Sequence, residues 1–80
     1  MTVVVYVKKG CPYCNKVLTY LEENPDKDVE VYTAEEDFKT DTFKKKYGND
    51  ATFPRGYSKE GEKVKLIGGS GEIIEYLDET

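Results

Sequence analysis

Val3-Val4-Val5-Tyr6-Val7 is a continuous run of β-branched and aromatic residues. A strand with one wet face would alternate apolar and polar residues. An unbroken run predicts a strand buried on both faces, as in a parallel or mixed sheet covered by helices. Lys8-Lys9-Gly10 then turns the chain and delivers Cys11-Pro12-Tyr13-Cys14, which holds both cysteines. From Cys14 onward, Val17, Leu18 and Leu21 recur at helical spacing. The helix should end near Asn24, because Pro25 disfavours helical backbone in the residue before it.

Two thiols at this spacing, at the start of a helix, suit redox chemistry. Residues three apart in a first turn share a face, so Cys11 and Cys14 can meet. Pro12 fits the first helical position, where its fixed φ and missing N–H do no harm. The unpaired N–H groups there favour negative charge, and the thiolate is the reactive form of cysteine. Cys11 is therefore expected to be the exposed, activated sulfur, and Cys14, one turn in, the sheltered one. A zinc half-site is the competing reading. Closing it takes about four ligands, and the chain has no other Cys and no His. A Cys-x-x-Cys pair beside a βαβ pattern is the redox motif.

The rest of the chain supplies that pattern. Val29 to Tyr32 is a second strand, parallel to the first across a right-handed crossover. Thr33 to Lys39 is an acidic loop. Thr40 or Asp41 caps a short helix with Phe43 and Tyr47 inward, Phe38 beside them and Gly48 as its stop. Asn49 to Phe53 leads to Pro54. Arg55 to Ser58 and Lys63 to Ile67 form a hairpin around Lys59-Glu60-Gly61, although Gly56 weakens the first of these strands. Gly68-Gly69 breaks the chain, Ser70 is an N-cap, and Ile73, Ile74 and Leu77 form the inward stripe of a last helix. The order is βαβαββα, a single domain over residues 1–80. It predicts an α/β, thioredoxin-like fold with a four-stranded mixed sheet flanked by three helices.

Charge narrows the function. Charged residues make up 35% of the chain and the net charge is −4, which argues against general nucleic-acid binding. Lys8, Lys9 and Lys16 flank the cysteine pair and raise the local potential, whereas Lys44-Lys45-Lys46 reads as a solvated helix face. No stretch approaches the roughly 20 apolar residues of a membrane span, and no secretory leader is visible. A free dithiol then fits the reducing cytoplasm.

Lys8, Cys11-Pro12-Tyr13-Cys14, Thr52-Phe53-Pro54 and Gly68-Gly69, in this order, resemble a dithiol glutaredoxin of the thioredoxin-like superfamily. The resemblance spans nearly the whole chain. It implies a glutathione-dependent thiol–disulfide oxidoreductase in which Cys11 is the nucleophile and Cys14 the resolving thiol. It implies a glutathione site made by Lys8, Tyr13, Phe53, a cis Pro54, and Gly69, Ser70 and Gly71, whose backbone N–H groups would take the γ-glutamyl carboxylate. Glu72 falls where an acid often meets the ligand's amine, or simply favours its helix N-terminus. Glutathione is then a cosubstrate, with no tightly bound cofactor and no metal. The implied partners are disulfide-bearing or glutathionylated proteins, ribonucleotide reductase among them, met by a cytoplasmic monomer.

Three departures stand out. Phe53 replaces the usual Val, Gly56 sits where an apolar residue is usual, and the polar ligand of the middle helix has no secure match among Thr40, Asp41 and Lys44. The alternatives are a thioredoxin-like reductant recharged by a flavoprotein reductase and an iron–sulfur or zinc carrier. Glutathione or the reductase, each supplied alone, separates the first, and metal content tests the second.

Overall fold

The computed structural model describes residues 2–48 and 52–79. Within them the elements run β1 (Thr2–Val7), α1 (Pro12–Glu23), β2 (Val29–Thr33), α2 (Thr40–Tyr47), β3 (Arg55–Glu60), β4 (Lys63–Gly68) and α3 (Ser70–Glu79). The sheet order is β2-β1-β3-β4. β1 pairs in parallel with β2 and antiparallel with β3, and β3 pairs antiparallel with β4. This is the mixed four-stranded α/β sheet of a thioredoxin-like fold.

The apolar run of β1 is buried on both faces because each face meets helices. Val3, Val5 and Val7 point one way and form a single core with Cys11, Cys14, Val17, Ile73 and Leu77, the inward stripes of α1 and α3. At the far end of these helices the Tyr20 hydroxyl donates to the Asp78 carboxylate at 2.9 Å. Tyr6 points the other way. Its ring lies 4.9 Å from Phe43 and 5.9 Å from both Tyr47 and Tyr57, so α2 is seated on a bed of aromatic rings.

Several local expectations need correction. The hairpin turns at Gly61-Glu62 rather than at Lys59-Glu60-Gly61, since Lys59 pairs with Val64 and Glu60 with Lys63. Gly61, at φ 61°, occupies the first central position that a tight type II′ turn reserves for glycine. Lys59 and Glu60 look like loop residues only because the hairpin tip is exposed. Ser70 is the first residue of α3 rather than its cap: the Ile73 N–H donates to the Gly69 carbonyl at 2.9 Å, which puts the cap position at Gly69. Likewise, neither Thr40 nor Asp41 caps α2. Lys39 stands there without a side-chain cap bond, and Asp41 serves the positive end of the helix as a first-turn acid. Asn49, Asp50 and Ala51 lie outside the described residues.

Candidate active site

The turn after β1 is fixed by its neighbours. Val7 accepts a backbone hydrogen bond from Ala34 at 2.7 Å, and Lys9 forms an ion pair with Glu36. Gly10, at φ 74°, makes the left-handed step that brings the chain into α1. Cys11 follows as the N-cap residue, with extended backbone and Pro12 at the first helical position. The Asn15 N–H closes the first helical turn on the Cys11 carbonyl at 3.0 Å.

Cys11 uses its side chain where a cap usually uses an oxygen. Its Sγ accepts from the Cys14 N–H at 3.3 Å and also lies 3.7 Å from the Phe53 carbonyl, to which the thiol donates. The expectation of an exposed sulfur is therefore corrected: Cys11 is only 6% exposed and Cys14 not at all. The cap position turns Sγ inward over the helix end. Access is through a cleft of about 490 Å³ lined by Lys8, Gly10, Cys11, Pro12, Thr40, Lys44, Thr52 and Phe53, a size ordinary for small-ligand sites.

The two thiols are free and electrostatically unlike. Burial pushes Cys11 up, but its contacts with the Cys14 thiol, the N–H groups of Cys14 and Tyr13, and the charge of Lys8 outweigh burial, and the thiol ends below its ordinary value. For Cys14, burial leads and the contact with Cys11 adds to it, so its thiol is pushed up to about 12. One sulfur is thus favoured as thiolate and the other held as thiol.

Phe53 and Pro54 are joined by a cis peptide bond. Phe53 lines the cleft, and its ring packs at a tilt against Phe43 at 5.0 Å and Phe38 at 5.9 Å. Gly69 lies against Pro54: a Cβ built on it would sit 4.0 Å from the Pro54 carbonyl oxygen. Lys8 and Phe53 therefore share the cleft with Cys11, whereas Pro54, Gly69, Ser70 and Gly71 are not among its lining residues. Ser70 is half-buried at the start of α3, and Gly71 faces open space. Glu72 folds back toward Gly68 and Gly69, with Oε2 3.6 Å from a Cβ built on Gly69. Tyr13 is 59% exposed and carries the Lys16 ammonium 5.4 Å from its ring centre; it does not line the cleft.

Of the three middle-helix candidates, Thr40 and Lys44 reach the cleft and Asp41 does not. Lys44 is also half-buried, unlike Lys45 and Lys46, so the lysine run is not a uniformly solvated face. The helical period turns its first member inward, a signal present in the spacing from Thr40. Among the described residues, no group of three or more His, Cys, Asp or Glu side chains could hold a metal ion, and no helix is long and apolar enough to cross a membrane.

A comparison with curated proteins gave no match. The family model described as Glutaredoxin matches residues 3–60, which takes in β1 through β3, the cysteine pair and the Thr52-Phe53-Pro54 segment.

Proposed function

The chain belongs to the glutaredoxin family of thiol–disulfide oxidoreductases, and on that premise we propose that it is a glutathione-dependent reductase of protein disulfides and glutathione mixed disulfides, working in a reducing cytoplasm. The supporting observation is the Cys14 N–H on Cys11 Sγ at 3.3 Å, inside a lysine-flanked cleft. A thiolate held by a helix N-terminus, with cations at its mouth, is suited to a ligand that carries carboxylates.

The Cys11 thiolate attacks one sulfur of the substrate disulfide. A Cys11–sulfur bond forms, the substrate S–S bond breaks, and the other half departs as a thiolate. Until that step the Cys11 charge helps to hold Cys14 as a thiol. Bonding of Cys11 to the substrate removes the charge, and Cys14 becomes the easier nucleophile. Its sulfur then attacks Cys11, its proton passes to the released substrate thiolate, and a Cys11–Cys14 disulfide remains. Two glutathione thiols return the pair to the dithiol and leave as glutathione disulfide. The substrate thus gains two electrons, supplied in the end by glutathione.

In this reading Lys8 and Lys44 attract glutathione carboxylates, and the Phe53 backbone meets its peptide. The N–H groups of Gly69, Ser70 and Gly71 take the γ-glutamyl carboxylate, and Tyr13, outside the cleft, meets only a ligand that overhangs Pro12. Partners are glutathione and disulfide-bearing or glutathionylated proteins, ribonucleotide reductase among them. The test is turnover of a small glutathione mixed disulfide coupled to glutathione reductase. Turnover that requires glutathione supports the reading. Activity with thioredoxin reductase alone, and none with glutathione, overturns it.

A further inference from the structure

The Cys11 cleft adjoins a second groove at Pro12. Pro12, which lines that cleft, also opens a groove continued by Asn15, Lys16, Thr19, Tyr20, Glu23 and Ile74. The α1 members recur at helical spacing, so they form one stripe along the helix. Half-buried Ile74 on α3 also lines the groove, and the Tyr20–Asp78 hydrogen bond ties the two helices together at its far part. The catalytic function of Cys11, as proposed above, does not use this stripe.

Length and charge say what would lie there. From Pro12 to Glu23 the helix advances about 16 Å, the span of about five residues of extended chain. The Cys11 end carries Lys16 and the far end Glu23, both exposed. Thr40, Lys44, Thr52 and Phe53 also line the Cys11 cleft, and Pro12 is the residue it shares with the groove, so a substrate chain that leaves Cys11 over Pro12 meets the groove.

We propose that the α1–α3 groove is the docking track for the polypeptide flanking the target cysteine of a protein substrate. The track takes about five extended residues. It favours an acidic side chain near the cysteine, against Lys16, and a basic one at the far end, against Glu23. The proposal rests on the glutathione-dependent reading. When Cys11 attacks the glutathione sulfur of a glutathionylated protein, glutathione becomes bonded to Cys11, and the protein thiolate is released along the groove.

The test uses two synthetic peptides, each with one glutathionylated cysteine. One has an acidic residue next to the cysteine and a basic residue about five positions away on both sides; in the other the two charges are exchanged. The wild-type protein should prefer the first by about two- to five-fold in kcat/KM, the range of an exposed ion pair. The Lys16→Glu/Glu23→Lys variant should reverse the preference, with each kcat/KM taken relative to the same protein's turnover of the small mixed disulfide of glutathione and β-mercaptoethanol. Reversal in the variant separates the groove from Lys8 and Lys44, which are the same in both proteins. Equal kcat/KM on the two peptides, or a variant that keeps the wild-type preference, overturns the docking track alone. A wild-type protein inactive on every glutathionylated substrate overturns the glutathione reading and the track with it.

Discussion

A Cβ placed on Gly56 would stand 2.6 Å from Cγ1 of Ile73 and 2.9 Å from its Cδ1. Ile73 is fully buried, so it has little room to yield. The glycine in β3 lets α3 approach the sheet closely, and Gly69, just before α3, lies against Pro54.

Gly56→Ala should therefore destabilise the fold by about 1–3 kcal/mol, the usual cost of an added methyl in a packed core. Ile73→Ala alone should cost about 2–5 kcal/mol through the cavity it leaves. The double variant should lose less than the sum, because the new methyl enters the vacated space. Urea unfolding of the four proteins checks this. Strict additivity would show that the two side-chain positions do not compete for the same volume.

Gly56 also marks the limit of what could be read in advance. The order of elements, the parallel β1–β2 pair and the placement of both cysteines at a helix start follow from local signals: the valine run, Pro12, and the period of Val17 and Leu21. The need for a glycine in β3 is set by Ile73, which approaches from a distant helix, so the sequence shows only a poor strand residue. The burial of Cys11 is illegible in the sequence for a similar reason. Its activation follows from its place at the helix end, but its burial depends on the Phe53 segment folding over it. Lys44 is a candidate in the sequence beside Thr40 and Asp41, but the lysine run it opens reads as one solvated face, and only its half-burial sets it apart from Lys45 and Lys46.

The opposite displacement of the two thiols should appear in alkylation. A lowered pKa means that the Cys11 thiolate is populated at lower pH than that of an ordinary cysteine, and a raised one keeps Cys14 protonated until about pH 12. Iodoacetamide near neutral pH should then modify Cys11 alone, with a rate that rises through a pH midpoint below that of free cysteine. Peptide mapping after a short pulse reads the site. Modification of Cys14 first, or at equal rate, would contradict the assignment of the two environments.

Lys8→Ala should lower turnover of a glutathione mixed disulfide by a factor of a few, since an exposed charge contributes about 0–1 kcal/mol. The difference from wild type should shrink as salt is added, because exposed charges are screened. Kinetics at low and high ionic strength test both statements. A loss of several orders of magnitude would make Lys8 part of the chemical step rather than a helper at the cleft mouth.

Cys14→Ser should separate two activities that share one nucleophile. On the mechanism proposed above, reduction of a glutathione mixed disulfide leaves Cys11 bonded to glutathione, and a second glutathione attacks that bond from the cleft. This activity should survive the substitution, and it should rise where the internal Cys11–Cys14 disulfide had diverted enzyme from the cycle. Reduction of a protein disulfide leaves Cys11 bonded to a bulky chain instead. There Cys14 is one helical turn from the bond, and such proximity acts as a very high effective concentration, which free glutathione does not match at a junction buried beneath Phe53. Protein-disulfide reduction should therefore fall sharply. The same variant, mixed with glutathione disulfide, should accumulate a Cys11–glutathione adduct visible by intact mass. Equal loss of both activities with the fold intact would mean that the two sulfurs act only as a pair, as in a reductant of the thioredoxin kind.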